Sequence, residues 1–84
     1  MTDETEDILE RNLGEQPIAK LMATLALKPH DLVAASTPPI THKMVARACK
    51  GRRLTQNTQE RVLAAFNAAT KGTYKIADLF NYEA

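Results

Sequence analysis

The chain has 84 residues, 44% of them hydrophobic, with one Cys, no Trp and a formal net charge of +1. A chain of that length makes one small domain with one core, and a single thiol excludes both a disulfide framework and a Cys-rich metal scaffold. No apolar run approaches the ~20 residues that cross a bilayer, and the opening "MTDETEDILERNL" is acidic and lacks the basic and apolar regions of a secretion signal, so a soluble, cytoplasmic protein with no membrane partner is expected.

The near-neutral total conceals segments of opposite sign. Residues 1–15 carry Asp3, Glu4, Glu6, Asp7, Glu10 and Glu15 against Arg11, a net −5, and are expected to form an acidic arm before a domain over residues 16–84 that carries +6. In "QPIAKLMATLALK" the apolar Ile18, Leu21, Met22 and Leu25 recur at helical spacing and Pro17 suits a first helical position, which predicts a helix over about 17–27. In "KPHDLVAAST" Pro29 stands near a start, the Asp31 carboxylate complements the helix dipole, and Pro38 and Pro39 forbid continuation, so a second helix is expected over about 29–36. A third, over 40–50, opens at Pro39 or Thr41, turns Ile40, Met44, Val45, Ala48 and Cys49 to one side and closes at Gly51.

The fourth segment, "TQNTQERVLAAFNAATKG", has Thr55 or Asn57 as cap, Asn57 and Glu60 at capping-box spacing, an apolar stripe of Val62, Leu63 and Phe66, and Gly72 as terminator. The final "TYKIADLFNYEA" supplies one or two turns, with Ile76, Leu79 and Phe80 closing onto the rest. With no strand pattern and no internal repeat, the expected fold class is all-α, a compact bundle of four to five short helices containing a helix-turn-helix.

The basic charge is concentrated in the third helix and the loop that follows it. Residues 42–61 hold Lys43, Arg47, Lys50, Arg52, Arg53 and Arg61 against Glu60, a net +5 in twenty residues. Two short helices joined by a turn, the second polar and basic on its outer side and followed by a basic loop, are arranged as in domains that place one helix in a major groove. The stretch from "LALKPHDLVAAS" through "ITHKMVARACKGRRLTQNTQERVLAAF" resembles the lambda-repressor-like, Xre/Cro-type helix-turn-helix domain, in which a β-branched residue opens the recognition helix and a glycine closes it, as Ile40 and Gly51 do. "RRLTQNTQERVLAAFNAA" is also similar to the third helix of LacI-type headpieces, and "YKIADLF" resembles the terminal half-turn of Xre-type domains, so the likeness covers roughly residues 17–80. The segment "ASTPPI" departs from it, being about two residues longer than the family's turn, with Thr37 to Pro39 where a glycine is usual.

The resemblance implies that Thr41, His42, Lys43 and Arg47 meet base edges, with Ala46 allowing close approach, and that Lys50, Arg52, Arg53, Thr55 and Asn57 meet the phosphate backbone. The partner it implies is double-stranded DNA, bound by a small transcriptional regulator that pairs as a homodimer on a two-fold site. The C-terminal "ADLFNYEA", with Leu79, Phe80 and Tyr82, either forms the dimer contact or packs on its own chain.

Other chemistries fit the residues less well. Two histidines, His30 and His42, with Cys49 fall short of a four-ligand metal site, and no Gly-rich phosphate loop or paired-carboxylate site is present, so no metal, cofactor, small-molecule ligand or catalytic activity is expected. Cys49 falls on the apolar side of its helix, where a thiol acts as a small hydrophobe. The alternative function is a protein-interaction module, antitoxin-like or an adaptor, that offers the basic face to an acidic partner. Such a surface requires exposed apolar anchors, whereas a groove reader requires short polar and basic side chains.

Overall fold

The computed structural model describes residues 13–37 and 39–82. Among them are five helices and no strand: α1 (Pro17–Thr24), α2 (Pro29–Ala35), α3 (His42–Lys50), α4 (Gln56–Thr70) and α5 (Ile76–Leu79). The all-α bundle expected from the sequence is therefore present. The longest helix, α4, is its spine: α2, α3 and α5 pack on it, while α1 lies against α3 and α5. One core joins all five, with Ile18, Leu32, Val45, Ala48, Val62, Phe66 and Leu79 fully buried, and Met22, Ile40, Ala65 and Phe80 nearly so.

Helix starts follow the local chemistry of the sequence. Pro17 and Pro29 stand in the first turns of α1 and α2, where a missing N–H costs nothing. The Asp31 carboxylate accepts from the Lys28 N–H at 2.8 Å, and Asp78 repeats the arrangement at α5 by accepting from the Lys75 N–H at 2.8 Å. Thr41 and Thr55 cap α3 and α4, their hydroxyls accepting from the N–H groups of Met44 (3.0 Å) and Thr58 (3.2 Å). Two sequence expectations are corrected here. Helix α3 begins at His42 rather than at residue 40, because Ile40 precedes the cap and is buried in the core with Val45, in the manner of a hydrophobic staple. Asn57 lies inside α4, so the spacing of Asn57 and Glu60 is not a capping box.

Helix ends depart further from expectation. Three helices finish with a left-handed residue, at Ala26 (φ 58), Gly51 (φ 88) and Lys71 (φ 57). In each case the next N–H reaches back to the last turn, Leu27 to Met22 O (2.8 Å), Arg52 to Arg47 O (3.1 Å) and Gly72 to Asn67 O (3.1 Å). The first helix therefore stops at Thr24 instead of continuing to residue 27, and α4 is ended by Lys71, not by Gly72. The second helix stops at Ala35, one residue short of the expected 36, with Ser36 as its C-cap. Beyond α4, Asn67 brackets the returning chain: its amide donates to Tyr74 O at 3.0 Å and accepts from Tyr74 N–H at 2.8 Å, while the Tyr74 ring meets Phe66 edge-on at 4.9 Å.

The acidic arm expected over residues 1–15 lies outside the described residues except for Leu13, Gly14 and Glu15. The stretch they form with Gln16 is tied to the domain at both ends. The Leu13 N–H donates to Gly51 O at 2.8 Å, and the Gln16 N–H to Cys49 O at 3.1 Å, so this strap supplies donors to carbonyls at the open C-terminal end of α3.

Two of the left-handed positions, Gly51 and Ala26, should respond oppositely to substitution. At Gly51 a Cβ would overlap the backbone of Gly14, so Gly51→Ala meets both the left-handed penalty and a collision with main chain, and is expected to destabilise the fold by about 3 kcal/mol or more. At Ala26 the side chain is the source of the strain, and Ala26→Gly is expected to stabilise by ~0.5 kcal/mol, the gain being limited by glycine's greater freedom in the unfolded chain. Thermal unfolding followed by circular dichroism tests both signs; a neutral Gly51→Ala would refute the close approach of the strap.

Candidate nucleic-acid interface

Helix α3 is divided lengthwise. Val45 and Ala48 are fully buried, Met44 and Cys49 are half-buried at the flanks, and His42, Lys43, Ala46, Arg47 and Lys50 are exposed. Residues three and four apart share a helix face, so Lys43, Arg47 and Lys50 form one row, with Ala46 leaving the middle of the face low. Of the four residues expected to meet bases, His42, Lys43 and Arg47 are therefore brought together on the outer face. Thr41, also exposed, stands just before the helix with its hydroxyl oxygen engaged by Met44.

His42 does not stand alone. Its ring stacks on that of His30, at 5.8 Å between centroids and 16° between planes, which joins the start of α2 to the start of α3. Helical periodicity within each segment gave no sign that the two imidazoles meet, because the contact depends on how α2 and α3 cross.

The five residues expected to meet phosphate have different environments. Lys50, Arg53, Thr55 and Asn57 are exposed, whereas Arg52 is half-buried beside Glu15, Ala19, Cys49 and Lys50 around a cavity of ≈ 390 Å³. Thr55 is committed to its cap, accepting from Thr58 N–H and donating to the Thr58 hydroxyl at 3.0 Å. What the start of α4 offers an anion is thus the N–H groups of its first turn. Burial pushes the Cys49 thiol up, and the Glu15 carboxylate adds to the rise. The thiol sits 3.7 Å from the Met22 sulfur, packed as a small apolar group.

The segment between α2 and α3 is tied at both ends. The Ser36 hydroxyl donates to Val33 O at 2.8 Å and accepts from Ile40 N–H at 2.9 Å. From α4, the Arg61 guanidinium donates to Pro39 O at 3.0 Å. Arg61 contributes to the basic excess of residues 42–61, but its head group supports the turn instead of extending the exposed row on α3. Tyr82, placed by the sequence only in the C-terminal contact segment, has partners in the loop after α3. Its hydroxyl accepts from Leu54 N–H at 2.9 Å and donates to Arg52 O at 3.2 Å, and its ring lies 5.5 Å from the Arg53 guanidinium carbon. The C-terminal segment accordingly packs on its own chain: Leu79 and Phe80 are core residues and Tyr82 is half-buried, so these side chains do not form a free contact surface.

No family model, curated protein or solved structure matches the chain. Among the described residues no helix is long and apolar enough to cross a membrane, and no group of three or more His, Cys, Asp or Glu side chains is placed to hold a metal ion.

Arg61→Ala should loosen the turn. The lost bond is charge-assisted but its acceptor, on exposed Pro39, can be rehydrated, and the unpartnered Arg61 Nε is removed as well, so the expected cost is about 1 kcal/mol, or roughly 4–8 °C in Tm. Amide exchange should quicken first at Ile40. An unchanged Ile40 amide would show that the turn holds without Arg61.

Proposed function

We propose that the protein binds double-stranded DNA sequence-specifically, as a small transcriptional regulator that lays α3 in the major groove. The observation that carries this reading is the division of α3, whose buried side fixes it to the core while the opposite side presents His42, Lys43, Ala46, Arg47 and Lys50. A major groove about 12 Å wide admits one helix, and short polar and basic side chains at its N-terminal end are suited to base edges. Lys43 donates to guanine O6 or N7, His42 donates or accepts according to tautomer, and Arg47 reaches a base or a phosphate one turn on. Lys50, Arg53 and the start of α4 hold the backbone, with Arg52 contributing charge from its half-buried position. The lambda-repressor-like resemblance of residues 17–80 agrees with this assignment. No cofactor is required. One α3 covers only a few base pairs, so two copies act as a homodimer on a pseudo-palindromic site.

Binding of an acidic protein partner is less well supported. The large hydrophobic side chain exposed among the described residues is Leu25, at the end of α1 and not on α3, so the basic face lacks the apolar anchors that such an interface uses.

Selection of bound sequences from random duplexes tests the proposal directly, a recovered two-fold motif being the expected result and an absence of enrichment the contrary one. With three or four basic side chains of each copy on phosphates, namely Lys50, Arg52, Arg53 and, where it does not read a base, Arg47, log affinity should fall against log salt with a slope of about −3 to −4 per copy. Two variants then separate reading from holding. Lys43→Ala should cost ~1–3 kcal/mol on the selected site and little on random duplex. Lys50→Ala combined with Arg53→Ala should weaken binding to every sequence alike and reduce the slope by about 2. Equal losses on both DNAs for Lys43→Ala would show that α3 is not the reader.

A further inference from the structure

We propose that the acidic segment ahead of the strap, residues 1–12, docks on the exposed basic face of α3 and competes there with the duplex, so that the chain restrains its own DNA binding. The consequence rests on the DNA-binding reading; the contact itself concerns this chain alone.

The point of attachment is fixed. The Leu13 N–H donates to Gly51 O at 2.8 Å, and the Gln16 N–H to Cys49 O at 3.1 Å, so the chain ahead of Leu13 starts from the last turn of α3, beside Lys50. Helix α3 has nine residues, which makes it about 13 Å long. Twelve residues span about 18 Å at helical rise and ~40 Å at most when extended. Lys50, Arg47 and Lys43 are within reach in either case.

The charges are complementary. Residues 1–12 hold Asp3, Glu4, Glu6, Asp7 and Glu10 against Arg11, a net −4. Helix α3 carries Lys43, Arg47 and Lys50 along one exposed row and has no acidic residue of its own. The strap already brings one carboxylate of the acidic run to this end of the helix: Glu15 lines a single cavity with Cys49, Lys50 and Arg52, and its charge is felt at the Cys49 thiol. The segment before it continues the same sign of charge from the same place.

An isolated exposed ion pair contributes little and is screened by salt. A tether changes the balance, because it holds several carboxylates near α3 at an effective concentration in the millimolar range. Carboxylates offer Lys43, Arg47 and Lys50 the same kind of partner that phosphates do, and one face accepts only one of the two at a time. The fraction of chains with α3 uncovered multiplies the affinity for any duplex. The segment therefore sets the strength of binding and leaves the sequence preference unchanged.

The test uses the full chain with Asp3→Asn, Glu4→Gln, Glu6→Gln, Asp7→Asn and Glu10→Gln combined, its folding checked by circular dichroism. At about 50 mM salt this variant should bind random and selected duplexes alike about tenfold more tightly than the wild type, and at about 300 mM less than about twofold. Its salt slope should be steeper by about 1, since salt no longer helps to clear the face. Unchanged affinity at low salt would overturn the proposal.

Removing negative charge also relieves simple repulsion of the duplex, so the contact is read separately in the free wild-type protein. Carbodiimide coupling followed by mass spectrometry should join carboxylates of residues 1–12 to Lys43 within one chain, with a yield that falls several-fold at about 300 mM salt or on addition of excess random duplex. Lys43 is the decisive partner because it stands at the far end of α3, whereas nearness to Leu13 alone favours Lys50. Coupling at Lys43 no greater than at Lys71, beyond the end of α4, or coupling only between two chains, would overturn the contact. If the wild type bound no duplex, the competition would fail with the DNA reading, while coupling at Lys43 would still decide whether the acidic segment covers α3.

Discussion

The fold depends on one buried glutamine. Gln16 is fully inaccessible, and its four polar groups are each engaged: the backbone N–H donates to Cys49 O at the end of α3, the backbone carbonyl accepts from Ala19 N–H in α1, the amide nitrogen donates to Gly14 O, and the amide oxygen accepts from Asn81 N–H in the C-terminal segment. A buried amide left unpaired is costly, so the arrangement is stable only when all three segments are in place together. Gln16 occupies the N-cap position of α1, yet its side chain does no capping. It joins the strap, the end of α3 and the tail instead.

That junction explains the distribution of left-handed residues. At the close of α3 the strap passes so near that there is no room for a Cβ, and the residue there is glycine. At the close of α1 and of α4 the same backbone conformation is carried by Ala26 and Lys71. A left-handed helix end tolerates a side chain at modest cost, whereas backbone crossing backbone does not. Gly51 therefore both ends α3 and admits the strap, and both effects set where α3 sits.

Helix α3 is consequently held at each end by chain that is remote in sequence. At its start the connection from α2 is braced by Ser36 within the turn and by Arg61 from α4, and the staple of Ile40 anchors it in the core. At its end the strap takes up the Cys49 and Gly51 carbonyls. A connection fastened on both sides need not leave the following helix loose. The exposed side chains of Lys43 and Arg47 are then presented by a helix whose own backbone is fixed, which is what the proposed recognition of a duplex requires.

The sequence by itself determined the helical class, the approximate place of each helix, the helix starts at Pro17 and Pro29, Thr41 as one of two openings for α3, and which side of α3 is apolar. These are local properties: spacing, the missing N–H of proline and a hydroxyl three residues from an N–H all act within one turn. The concentration of positive charge in residues 42–61 was legible for the same reason, being a matter of composition. Helix ends were less so, because Ala26 and Lys71 carry no sign of the left-handed conformation they adopt and Gly72, one residue late, carries a misleading one. Only the tertiary structure decided that Gln16 is the central junction, that His30 stacks on His42, that Arg61 supports the turn, and that Tyr82 reaches Arg52, Arg53 and Leu54. Each of those contacts joins side chain to backbone, or ring to ring, across separate elements, and depends on how helices cross. Periodicity fixes the face a residue occupies; only packing fixes what that face meets.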